Sequence, residues 1–235
     1  SMLNESDPDI KVTTVKGKSF FYTDSIASIV LKTAGIQSIA TSIEERVFLQ
    51  YKQKEHIAYI KGVSANYTEI TPIDSILAVG QWLDSDYTNS AVIGSGISDK
   101  LSLGILNFGA LLEVKVPKSG KGLILSQSAA FSSVGVQIVG VYSGPEEFVN
   151  RYVFVAIPLA QKLLSYQENQ ITALEIKLTD GVDHDAIAET LQQYLGTDFK
   201  VETRMQLNAL TYKVLNTEKL VSYLIFTLII IIALF

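Results

Sequence analysis

Three places in this chain carry residue types that could do chemistry. Asp183-His184-Asp185 offers carboxylates and an imidazole to a metal ion. Three consecutive residues cannot all point at one ion, and an Asp ahead of an amphipathic run is an ordinary helix N-cap, so capping is the expected role. Glu44-Glu45-Arg46 sets two carboxylates side by side. They fall in an alternating run, where neighbours point to opposite faces of a sheet, so a catalytic pair is not expected. Gly94-Ser95-Gly96 stands before a helical pattern, as a phosphate loop would. It lacks the Lys-Ser/Thr of a P-loop and the third Gly of the dinucleotide fingerprint, which leaves a plain strand–helix turn. His56 starts a strand with no ligand near it in sequence, His184 is far away, and there is no Cys. Disulfides and thiol chemistry are therefore excluded, and no Ser–His–Asp or Cys–His set is formed. No enzyme activity, metal or cofactor is expected.

Alternating and helical periods set the elements around these residues. Strands are expected at Asp9–Val15, Ile36–Tyr51, His56–Val63, Ala91–Ile93, Leu111–Val116, Val134–Tyr142, Arg151–Ala156, Ile171–Leu178 and Phe199–Glu202. Ser19–Tyr22 extends the first, and Lys52-Gln53-Lys54-Glu55 turns a hairpin. Helices are expected to about Thr33 from an N-cap at Asp24 or Ser25, with Gly35 past the stop, and at Ile97–Leu103, Ile157–Ser165 and Asp183–Leu195. Pro145 starts a helical turn, whereas Ser64–Pro72 reads as a loop. The strand–helix–strand units near the two ends read as quasi-equivalent halves, and the fold class is α+β. Between two strands, Pro117–Ser133 is longer than a hairpin needs. Against a disordered loop stands an arm that touches a partner, through Pro117, Lys118 and the apolar Leu123, Ile124, Leu125 and Phe131.

The stretch Leu220–Phe235 (LVSYLIFTLIIIIALF) has no charge, Pro or Gly. As a helix it covers roughly 24 Å of a hydrocarbon core about 30 Å thick, so it reads as a truncated transmembrane helix. Glu218-Lys219 marks its water end and Tyr223 an interfacial aromatic. From Arg204 the helical pattern runs without Pro or Gly into this segment, as a connecting helix over 204–219. A buried core helix and an aggregation-prone strand are the competing readings. Of 235 residues 48% are hydrophobic and 18% charged, with net charge -5, pI about 5.1 and mean hydropathy +0.27. Such a chain has no basic groove for nucleic acid. SMLNESDPD has neither the basic nor the apolar region of a signal peptide, and Ser1-Met2 reads as an expression remnant. The expectation is a fragment of a membrane protein, beginning after one span and ending inside the next.

The phrases GVSANYTEI, GQWL, AVIGSGISDKLSLGI and LLEVKVP, in that order, resemble the extracytoplasmic core domain of the MacB/FtsX-type ABC transporter permeases. VQIVGVYS followed by YVFVAIPLAQKLL is similar to the second half of that domain. NTEKLVSYLIFTLIIIIALF resembles the start of the second transmembrane helix in the lipoprotein-releasing LolC/LolE branch. The resemblance covers nearly the whole chain. It implies a porter-like βαβ-type subdomain from 9–63 and 143–203, with a mostly-β, sabre-like subdomain inserted at 64–142. It implies a dimeric permease, homo- or heterodimeric, in the bacterial inner membrane, this domain standing on the periplasmic side. The cytoplasmic ATPase would be a separate subunit or domain. In the lipoprotein-releasing branch a hook recruits a periplasmic lipoprotein carrier, and its matching position is 117–133. The cargo would be a lipoprotein, its acyl chain meeting Tyr212, Leu215, Leu220 and Tyr223. Asn107-Phe108-Gly109 departs from the family's Gly-Asp turn, and the arm lacks a compact Pro-rich hook. A MacB-like efflux domain and an FtsX-like activator of a cell-wall hydrolase are the alternatives.

Overall fold

The computed structural model describes residues 7–84, 88–105, 110–118 and 130–209. The chain ends of this region form a split βαβ pair. Strand β1 (Ile10–Thr14) leads through the short β2 (Phe20–Phe21) and helix α1 (Asp24–Lys32) to the long β3 (Ile36–Tyr51). Late in the chain, β11 (Ala173–Leu178) leads through α6 (His184–Leu195) to β12 (Phe199–Thr203). The four strands lie in the order β12-β1-β11-β3, every neighbour antiparallel. That order interleaves the two units, the arrangement of ferredoxin-like folds. Both helices are amphipathic and bury Ile26, Val30, Ala188 and Leu191.

Local capping explains the helix bounds. Thr23, rather than Asp24 or Ser25, caps α1, because its extended backbone lets Oγ1 accept the Ile26 N–H. Asp183 caps α6 by accepting from the N–H groups of Asp185 and Ala186, at 3.0 and 3.2 Å. The carboxylate is thereby committed to the helix end, and His184 beside it is half-buried.

The middle of the chain builds a closed ring. β3 pairs with β4 (Lys54–Val63) across a two-residue turn in which Lys52 takes φ 55°. β4 pairs in parallel with β9 (Tyr152–Ala156), and β9 pairs with β6 (Ser90–Gly94). β6 pairs with β8 (Phe131–Tyr142), β8 with β7 (Leu112–Pro117), and β7 returns to Phe48–Gln50 of β3. A ring of strands has no open edge between its members. β5 (Leu77–Gly80) pairs with the far end of β8, and β10 (Gln170–Ile171) pairs with β2. Alternation turns Ile43, Val47, Leu49, Val114, Val116 and Val136 inward. Helix α5 (Ile157–Leu164) packs against β3, β4, β7, β8 and β9 and plugs the ring. One apolar core therefore runs from beneath α1 and α6 into the ring.

Helix α3 spans Ser95–Leu101, two residues earlier than the sequence pattern puts it. The reason lies at its end: Ser102 adopts the left-handed conformation, and the Ser98 hydroxyl donates to the Leu103 carbonyl, so Leu103 has already left the helix. Residues 64–72, expected to be a loop, hold the helical turn α2 (Tyr67–Ile70), whose Tyr67 and Ile70 are buried. They cover the second sheet face, with Tyr142, Phe148 of α4 (Glu146–Val149), Phe154 and Trp82. Pro117 and Phe131–Ser133 were expected in the arm but are strand residues, since Pro117 and Phe131 are register partners in the β7–β8 ladder.

Candidate functional site

Two surfaces and the polar network between them are candidates for function. The first surface is the base of the arm. The ladder from Leu112↔Val136 to Pro117↔Phe131 is prolonged by the Lys118 N–H donating to Ala130 at 2.8 Å. Because Leu112, Val114 and Val116 face the ring interior, Pro117 and Phe131 face outward. There Phe131 meets Phe48 edge-on, with ring centroids 5.8 Å apart. Phe48 is the register partner of Ile57, and the two are 42% and 46% exposed. Ile57, Phe48, Phe131 and Pro117 thus make an outward apolar patch, the kind of surface that marks an interaction site. The sequence flagged Pro117, Lys118 and Phe131 but not Phe48 or Ile57, which the β3 pairing supplies. Leu123, Ile124 and Leu125 lie outside the described residues.

The second surface is the junction where the chain ends of the domain meet. β1 and β12 pair from Ile10↔Thr203 to Thr14↔Phe199, so residues 9 and 204 are neighbours. The Arg204 N–H donates to the Asp9 carbonyl at 2.9 Å, and its guanidinium Nη2 pairs with the Asp9 carboxylate at 2.9 Å. The other Asp9 carboxylate oxygen accepts from the Leu178 N–H at 2.8 Å. Asp9 thereby ties β1, β11 and the helical turn at 204–209 to one another. The Gln206 side chain accepts the Thr203 N–H, and Gln192 of α6 bonds Gly196, Phe199 and Val201 of the β12 approach. Tyr212, Leu215, Leu220 and Tyr223, and the expected span 220–235, lie outside the described residues. Among those described, no helix is long and apolar enough to cross a membrane.

Between the two surfaces, the sheet face away from α1 and α6 carries charges of alternating sign. Lys11 on β1 is opposite Glu175 on β11, and Glu44 on β3 is opposite Lys61 on β4. Glu175 is 0% and Lys61 7% exposed. Lys61 Nζ lies 3.0 Å from a Glu175 oxygen, and the Ser42 hydroxyl donates to the same carboxylate at 2.7 Å. Burial by itself would lower the Lys61 pKa, but Glu175 and the facing Tyr67 and Tyr152 raise it well above the ordinary lysine value. Burial would likewise raise Glu175, yet Lys61, Lys11 and the Ser42 hydrogen bond hold it below the usual carboxylate range. Both groups are charged, and closed off from water they position strands rather than meet a substrate. The ammonium stands 5.0 Å from the Tyr67 ring centroid and 5.6 Å from that of Tyr152. Glu44 gathers Lys11, Arg151 and the Tyr152 hydroxyl at 3.4, 3.3 and 3.2 Å. Against the upward push of burial, these cations keep its pKa low.

Glu44 and Glu45 do diverge: Glu45 pairs with Lys18 at 2.8 Å, on another side of β3 from the Glu44 cluster. His56 Nε2 bonds the Asn150 carbonyl at 3.0 Å. A Cβ on Gly94 would sit 2.0 Å from the Val149 carbonyl oxygen, so this glycine serves close packing. Among the described residues no His, Cys, Asp and Glu group could hold a metal ion. Sequence reasoning missed Lys61 and Glu175. Their signal was faint: lone charges of opposite sign inside the apolar strands YIKGV and ALEI.

Comparison with curated protein sequences returns no match. Among solved structures the chain is similar to the periplasmic region of MacB from Actinobacillus actinomycetemcomitans, with TM-score 0.55 and 14% identity over 90% of this chain and 96% of that one. It is also similar to the extracellular domain of the noncanonic ABC-type transporter YknZ from Gram-positive bacteria, with TM-score 0.57 and 12% identity over 83% of this chain and 99% of that one. At these identities the likeness is one of fold. The sequence model of the MacB-like periplasmic core domain matches residues 3–194, from before β1 into the last turn of α6, and the chain belongs to that family.

Proposed function

We propose that this domain is the extracytoplasmic, force-transmitting part of an ABC transporter permease in a bacterial inner membrane, working with a second permease subunit. The observation that carries the reading is the junction at Asp9 and Arg204. Both ends of the domain leave through one hydrogen-bonded corner, so a displacement of either end is delivered to the β12-β1-β11-β3 sheet as one body. From β3 the ring strands continue to the arm base. ATP hydrolysis belongs to a cytoplasmic partner, and this domain contributes movement rather than catalysis.

The finer reading is lipoprotein release, with the apolar arm base receiving a periplasmic carrier. The Ile57–Phe48–Phe131–Pro117 patch supports a protein contact there. Efflux is the second reading, favoured by the structural likeness to the MacB periplasmic region. The test offers periplasmic extract to the full chain in mild detergent, with Phe131→Asp in parallel, and identifies what is retained by mass spectrometry. A lipoprotein carrier held by the native chain and lost by the variant supports release. An outer-membrane adaptor in its place moves the function to efflux, and a cell-wall hydrolase moves it to regulation. Retention that is indifferent to Phe131→Asp removes the arm base from the mechanism.

A further inference from the structure

Beside the arm base, on the side of α5, lies a concave cavity of about 790 Å³. Its floor is apolar, from Phe48, Val116, Leu163 and Leu164. Its charged lining is Lys18, Glu45, Arg46 and Lys118. Lys18 is cancelled by Glu45, which it meets at 2.8 Å. Among the described residues no carboxylate pairs with the Arg46 guanidinium or the Lys118 ammonium, and both side chains are exposed. Two uncompensated cations over an apolar floor are notable in a chain of net charge -5. The size is that of a small-ligand pocket rather than of a protein interface, for such pockets run from about 300 to 1,000 Å³.

We propose that this cavity binds a single-chain amphiphile with an anionic head, a carboxylate or a phosphate. The head lies between Arg46 and Lys118, and the hydrocarbon chain lies on Phe48, Val116, Leu163 and Leu164. Charge selects the ligand. A neutral amphiphile of the same length covers the same floor but leaves both cations unused, and a cationic one is repelled. The cavity shares Phe48 and Pro117 with the outward patch but extends away from Ile57 and Phe131 toward α5, and it does not depend on which transport reading holds.

The test uses the full chain in a non-ionic detergent and dodecyl phosphate carrying a diazirine near the end of its chain. After irradiation, labelled peptides are mapped by mass spectrometry. Label is expected on the peptides of 116–118 and 163–166, and to fall about tenfold there in Arg46→Gln/Lys118→Gln, as for the loss of charge-assisted contacts. Label on the apolar run 220–235 reports non-specific partitioning and stays the same in both proteins. Unlabelled dodecyl phosphate competes at the cavity peptides, while dodecanol and dodecyltrimethylammonium compete at least about tenfold less well. Absence of label from the cavity peptides, equal label in the variant, or equal competition by the cationic amphiphile overturns the proposal. Both substituted side chains are exposed, so an unchanged urea unfolding midpoint certifies the variant's fold.

Discussion

Lys61→Met is the sharpest perturbation of this fold. Glu175 is fully buried, and its carboxylate is held by Lys61 and the Ser42 hydroxyl. Removing the lysine leaves a buried carboxylate with one neutral donor, and breaking a buried pair on one side costs about 3–5 kcal/mol. The variant has an escape, because the carboxyl can take a proton. In the native chain the Glu175 pKa is lowered, so its contribution to stability is present above the ordinary carboxylate range and is lost as pH falls through the folded value. In Lys61→Met burial is unopposed by that ammonium and the folded pKa rises above the unfolded value of about 4.3, so stability is lost as pH rises toward 7. Between pH 5 and 7 the native chain is therefore nearly flat in this contribution, while the variant weakens with pH. Urea unfolding in mild detergent reads this through the single Trp82, whose ring lies 5.4 Å from that of Phe154. With a slope of about 2.5 kcal/mol per molar urea, the pH 7 midpoint falls by roughly 1–2 M, and by less at pH 5. Lys61→Met/Glu175→Leu removes both charges and returns the unfolding free energy to within about 1 kcal/mol of native. A single variant within about 0.5 kcal/mol of native at pH 7, or one with the native pH profile, refutes the reasoning.

Gly94→Ala forces a methyl onto the Val149 backbone, where a Cβ would lie 2.0 Å from the carbonyl oxygen and 2.5 Å from Cα. It is expected to cost about 1–3 kcal/mol in urea unfolding, and a neutral result would mean that α4 moves away freely. Asp9→Ala removes the acceptor of the Leu178 N–H and the partner of Arg204. A loss of about 2 kcal/mol is expected, and a loss below about 0.5 kcal/mol would show that the β1–β12 ladder alone holds the junction. In detergent-free buffer the full chain is expected to form oligomers through its apolar run 220–235, and a monomer by light scattering contradicts that.

Most of the elements were legible in the sequence because their periods are local. The bounds of β3 at Ile36 and Tyr51 follow from alternation, the α6 cap from Asp183, and the stop after α1 from Gly35, which takes φ 89°. The failures were local as well. A threonine one residue early caps α1, a left-handed Ser102 ends α3, and the short turn Tyr67–Ile70 has too few residues to show a period. The family was legible too, since the order of short phrases along the chain survives where overall identity does not.

Residue pattern is enough to set the α+β class, the absence of cysteine chemistry, the apolar C-terminal run and the strands that carry each charge. Tertiary structure alone decided which residues meet. β7 closes the ring on Phe48–Gln50, some sixty residues away in sequence, and so brings Phe131 to Phe48. β11 inserts between β1 and β3 and sets Glu175 beside Lys61, although 114 residues separate the two. The physical reason is the same in both cases. Alternation fixes the face on which a side chain stands, but only strand order and register across the sheet fix its neighbour.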